Sequence, residues 1–141
     1  MKNENQMKIR ELLLRIISPL IFLLIGTCII FPFAKGVPIF GMPEPEDIIK
    51  VEITDHRSGE TVVYTDAENI QLAVNMKNFA IYKVNNSVTG DESADISIKY
   101  FVNDDLYTEL SAGETTVYWK GKTRNLKNEG WFVKLAEAVF F

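Results

Sequence analysis

The 19 residues from Ile16 to Ala34 carry no charge and are mostly apolar. As a helix rising about 1.5 Å per residue they reach roughly 28 Å, close to the hydrocarbon thickness of a bilayer. The hydrophobic part of a secretory leader is shorter, about 7–15 residues, and wants small side chains three and one positions before the cut. Here "PFA" before Lys35 and "IGT" before Cys28 put Pro32 or Ile25 at the first of those places. A lipid-attachment reading centred on Cys28 meets two obstacles. Thr27 stands where Gly or Ala is usual, and "IIFPFA" continues the apolar run where a polar tether should begin. A permanent anchor is therefore the expected reading, with a cleaved leader and a lipoprotein as its alternatives.

Charge divides the chain at the same place. Up to Lys35 there are five basic residues (Lys2, Lys8, Arg10, Arg15, Lys35) against Glu4 and Glu11, a balance of +3, which leaves −7 for the remainder of a chain totalling −4. Four of the five precede the run, and the acidic "PEPED" follows it, so the positive-inside rule expects the N-terminus in the cytoplasm. Arg10, Arg15 and Lys35 are the expected membrane-interface residues, with Arg15 able to snorkel to the headgroups. A remainder at −7 repels nucleic-acid phosphates, so no nucleic-acid partner is expected. The one cysteine lies inside the apolar run, which leaves the remainder without disulfides or a Cys-based zinc site.

The organisation expected is a cytoplasmic stub (1–15), a transmembrane anchor (16–34), a Pro/Gly-containing juxtamembrane spacer (35–46) and an extracytoplasmic domain (47–141). All five prolines fall within the first 45 residues; beyond them the pattern becomes regular. "DIIKVEITD" alternates, with Ile49, Val51 and Ile53 on one face, and "TVVYT" returns after a turn at Ser58-Gly59. "TDAENIQLAVNMKNFAIY" has helical spacing, opened by Thr65 and Glu68 at capping-box separation, with Leu72, Met76 and Phe79 on its apolar face. "VNNSVTGDESAD" reads as a loop. "DISIKYFV" (Ile96, Ile98, Tyr100, Val102), "LYTEL" and "TTVYWKGK" (Val117, Trp119) read as a meander, and "NEGWFVKLAEAVFF" as a closing helix burying Trp131, Phe132, Leu135 and Val139. The fold class is α+β: an N-terminal transmembrane helix, then a small antiparallel sheet with two helices on one face, in the order β-β-α-β-β-β-α.

Candidate chemistry is sparse. His56 is the lone histidine and reads as an exposed turn residue; a triad would need a nucleophile and an acid from distant positions. Ser58 reads as a turn residue. Carboxylates gather as Glu44/Glu46/Asp47, Asp91/Glu92/Asp95 and Asp104/Asp105, all in loops or turns, and "DESAD" lacks the alternating ligands of a calcium loop. No metal, cofactor or catalytic residue is expected. Asn85 in "NNS" matches a glycosylation acceptor. Tyr64, Tyr82, Tyr100, Tyr107, Tyr118, Trp119 and Trp131 read as core and cross-strand residues. The sharpest feature is basic: Lys120, Lys122, Arg124 and Lys127 in "WKGKTRNLK" read either as a hairpin turn or as a patch for an anionic partner, lipid headgroups or cell-wall polymer.

The pattern "PEDIIKVEITDHRSGETVVYTDAENIQLAVNMKN", then "ADISIKYFV", a hairpin and "GKTRNLKNEGWFVKL", resembles small membrane-anchored or lipoprotein-like extracytoplasmic domains of unknown function from Gram-positive bacteria. The resemblance spans roughly Pro45 to Phe141 and implies a cell-surface location and a binding or accessory role, with no catalytic residues to carry over. The expected function is a single-pass anchored domain engaging the bilayer and a membrane protein, peptide or envelope component, in an accessory, sensing or immunity/resistance role. The alternative is a small envelope hydrolase using loop carboxylates, which would need two acids about 5–10 Å apart across a cleft.

Overall fold

The computed structural model describes residues 2–84, 88 and 93–141, except the side chains of residues 2–7, 9 and 10. It contains two compact units, Met1–Lys35 and Gly36–Phe141.

The first unit is one helix, α1 (Lys2–Lys35), which absorbs the stub and the apolar run without a break and holds Pro19 and Pro32 inside it. Each proline lacks the N–H that would bond the carbonyl four residues back, at Arg15 and Cys28. Within Glu11–Lys35 an 18-residue window has a mean hydropathy of 2.5 and none of it is buried, so the segment is long and apolar enough to cross a bilayer. Cys28 is exposed within it.

α1 stops at Gly36, whose φ of +82° is left-handed backbone open to glycine at little cost. A Cβ there would also sit 2.6 Å from Ile81 Cγ2. From this point the chain is already part of the second unit. Val37 bridges Tyr82 in antiparallel fashion, Ile39 is buried, and the carbonyl of Phe40 accepts from Trp119 Nε1 at 3.1 Å. The stretch expected as a spacer is thus packed into the domain, with a short 3-10 turn at Pro45–Asp47 that rests on the following helix.

Six antiparallel strands form one sheet: β1 (Lys50–Asp55), β2 (Glu60–Tyr64), β3 (Ile96–Val102), β4 (Asp105–Ala112), β5 (Thr116–Trp119) and β6 (Lys122–Asn125), in spatial order β2-β1-β3-β4-β5-β6. Strand alternation sorts the residues into two faces. Val51, Ile53, Ile96, Ile98, Tyr100, Leu110, Val117 and Trp119 point to the inner face and are buried. Two helices, α2 (Ala67–Asn75) and α3 (Trp131–Phe140), cover that face. Tyr100 Oη donates to the Ala73 carbonyl at 2.8 Å, and Tyr64 Oη donates to that of Phe140 at 3.2 Å. The α+β class and the single-sided placement of the helices follow the sequence expectation.

Four local details differ from it. The strand β6 was expected as turn: four polar or charged residues show no apolar alternation, and the strand forms because Lys120 (φ 48°) and Gly121 (φ 76°) make the two-residue left-handed turn that suits a tight hairpin. The cap of α2 is Asp66, not Thr65; its Oδ1 accepts from the Asn69 amide at 2.9 Å. Ile49 and Leu72, expected on buried faces, are 47% and 40% exposed. In α3 the buried residues are Phe132, Val133, Ala136 and Phe140, whereas Trp131 and Val139 are exposed. The buried sector is rotated by roughly a quarter turn because this helix is apolar nearly all round.

Candidate functional site

Three features outside the core have the makings of a site. The first is the basic group. Lys120, on the β5–β6 turn, brings its Nζ beside Gly41 and 5.6 Å from the Trp119 ring. Arg124 lays its guanidinium 4.5 Å from the centroid of Tyr82. The Cδ of Lys127 lies 3.1 Å from where a Gly36 Cβ would be. Lys122 is exposed at the start of β6. Among the described residues no carboxylate is in ion-pair range of Lys120, Lys122 or Arg124. Arg15 and Lys35 are exposed on α1; the side chain of Arg10 falls outside the described residues.

The second is a polar chain on the outer sheet face, which sequence reasoning missed. His56, on the β1–β2 turn, places Nε2 2.7 Å from Ser97 Oγ, 41 residues away. Ser97 Oγ lies 2.9 Å from Ser111 Oγ across the β3–β4 pair, and Ser111 donates to Glu109 Oε1 at 2.9 Å. Both serines are buried. Counting protons orders the chain. An ionised Glu109 only accepts, so the single Ser111 hydrogen is committed to it; Ser97 must then donate to Ser111, and His56 must donate Nε2–H to Ser97. In this arrangement His56 is a donor and does not serve as a base to Ser97. The chain pins the β1–β2 turn to the sheet.

That turn is held from its other side too. Asp55 Oδ1 accepts from the Arg57 amide at 2.8 Å and the Ser58 amide at 3.4 Å, and Arg57 pairs with Glu137 of α3. The Arg57 amide, helped by Ser58, holds the Asp55 carboxyl below its ordinary 3.8 despite partial burial. Asp66 is likewise held below 3.8, by the Asn69 amide first and its side chain second. Burial pushes the Tyr100 phenol up.

Among the described residues the carboxylates of the loop groups contribute no cleft geometry. Glu44, Glu46, Asp47, Asp104 and Asp105 are all exposed; Asp95 is half-buried, 4.0 Å from Arg57. Asp91, Glu92 and the acceptor-like Asn85 lie outside the described residues. Among the described residues no three His, Cys, Asp or Glu groups converge as a cation site would need.

The third feature is an apolar stripe on α3. Trp131 is 65% exposed, with Leu135 half-buried and Ala138 exposed on the same side; the spacing of four and seven residues puts them on one helical face. Lys134 and the exposed Phe141 flank them. The outer edge of β2 is also open: among the described residues its backbone pairs only with β1. The opposite edge is partly closed, since Tyr82 bridges Leu126 just beyond β6.

Comparison of the chain with protein-family models, with curated proteins and with solved structures found no match.

Proposed function

We propose that this chain is a single-pass membrane protein, N-terminus in the cytoplasm, whose extracytoplasmic α+β domain binds a membrane partner protein, a peptide or an envelope component. The Gram-positive surface setting implied by the sequence resemblance fits this reading. A domain held at a membrane surface by one span and binding a partner there suits an accessory, sensing or immunity-type factor. The anchor half of the proposal rests on Glu11–Lys35, a 25-residue segment of α1 in which an 18-residue window has mean hydropathy 2.5.

The binding half is carried by one observation, Trp131 at 65% exposure. A tryptophan exposed at a helix start, with apolar neighbours on its face, is a residue type enriched at interface hot spots. The open β2 edge adds a second mode, strand addition. The test is a photocrosslinking amino acid placed singly at Trp131, at Ala138 and, as a control, at the exposed Gln71 of α2, in the full chain in native membranes. Discrete adducts from the two α3 positions, and none from Gln71, are expected. Equal labelling at all three, or none on α3, would remove the stripe as a docking surface.

A further inference from the structure

Lys120, Arg124 and Lys127 gather on the segment that joins the apolar helix to the domain, with Lys122 exposed at the neighbouring start of β6. Gly36 is bonded to Lys35, the last residue of that helix. Onto Gly36–Gly41 fold side chains from the far end of the sequence. Lys127 lies against Gly36, and Lys120 reaches Gly41. Arg124 stacks on Tyr82, whose backbone is bridged to Val37. Phe40, in the middle of the segment, is 66% exposed although its carbonyl is fixed by Trp119. It stands five residues past Lys35, a reach of at most about 18 Å of chain.

We infer that this end of the domain lies on anionic lipid headgroups of the leaflet from which the helix emerges, with Lys120, Lys122 and Arg124 against phosphates and Phe40 at the interfacial level. The inference rests on the anchored reading proposed above. A helix that spans the bilayer fixes Gly36–Gly41 near the surface, and the cations that pack on this segment are fixed with it. The domain as a whole is acidic, so such a surface would repel it were the cations spread evenly. Among the described residues no carboxylate lies in ion-pair range of these three cations. Glu44, Glu46 and Asp47 belong to the turn that rests on α2, and Glu129 is paired with Lys83 at 3.0 Å. Arg124 and Lys120 are also braced on aromatic rings, which lowers the entropy lost when they meet a phosphate. A cation near an anionic bilayer contributes about fivefold in apparent surface affinity, and the effect fades with salt.

The experiment is hydrogen exchange read by mass spectrometry on the full chain in nanodiscs of phosphatidylcholine, with or without phosphatidylglycerol, at low and high salt. Amides at Val37–Phe40 and Lys120–Lys127 should exchange several-fold more slowly in the anionic discs, and the difference should vanish at high salt. The variants K120Q and K122Q, both at exposed positions, should each remove most of that several-fold difference, while amides of β3 stay unchanged and report an intact fold. Equal exchange in neutral and anionic discs would overturn the inference. So would protection by soluble poly(glycerol phosphate) in neutral discs without any by phosphatidylglycerol, which would reassign the cations to an envelope polymer. Failure of the chain to co-elute with the discs at all would overturn the anchored reading itself, a distinct result.

Discussion

Adjacent aromatics at the start of α3 should respond to truncation in opposite ways. Phe132 is fully buried between α3 and the sheet, whereas Trp131 is 65% exposed. Phe132→Ala deletes a buried ring and leaves a cavity, a change that costs about 3–5 kcal/mol. For Trp131 only the remaining 35% of the side chain is covered. Taking a tryptophan surface of about 250 Å² and roughly 25 cal/mol per Å², Trp131→Ala has a ceiling of about 2 kcal/mol. Part of that cover comes from the helix itself, so the expected loss is about 1 kcal/mol. Urea unfolding of the full chain in mild detergent measures both, with Trp119, 5% exposed, as the reporter that survives in each variant. With a slope of about 1–1.5 kcal/mol per M, Phe132→Ala should lower the midpoint by roughly 2–5 M and Trp131→Ala by less than about 1 M. Equal midpoints, or the larger loss at Trp131, would show that α3 buries the other side and would end the case for a docking stripe.

Three further outcomes follow from the same geometry. Asp55 and Asp66 are both held below 3.8, so the stability they add is complete above that pH and is lost as pH falls through their lowered values; the double variant D55N/D66N should be less stable than wild type at neutral pH and show a flatter acid limb in thermal melts from pH 7 downward. With His56 as donor and Ser97 committed to Ser111, a serine-reactive fluorophosphonate should leave the chain unlabelled, and nitrogen NMR at alkaline pH should find the Nε2–H tautomer of His56; labelling at Ser97 would show a nucleophilic serine and overturn this proton order. Tyr100→Phe removes the donor to the Ala73 carbonyl inside the core and should cost about 1–3 kcal/mol by denaturant titration; no change would mean that carbonyl finds another partner.

What the sequence exposed and what it hid have physical reasons. Alternation in β1, β3 and β5 is legible because one sheet face is wet and the other is covered by helices. The phase of α3 is not, since Trp131, Leu135 and Val139 form as plausible a stripe as Phe132, Ala136 and Phe140, and only packing against the sheet chooses between them. The β6 strand is hidden by its charges, which suit a sheet edge and resemble a turn. The His56–Ser97–Ser111–Glu109 chain joins three separate segments, and local spacing holds no trace of such contacts. The basic cluster is the reverse case. Its residues stand out in "WKGKTRNLK", but their relation to Gly36–Gly41 comes only from the folded register.

Anchoring requires that the helical segment Glu11–Lys35 remain attached and embedded. The direct measurement is native mass spectrometry of C-terminally tagged chain extracted gently from carbonate-washed membranes. An uncleaved chain of 16.1 kDa plus the tag, retained in the membrane fraction, is the predicted result. A chain lacking its first 27 residues and carrying diacylglycerol on Cys28, or one released into the wash, would contradict it.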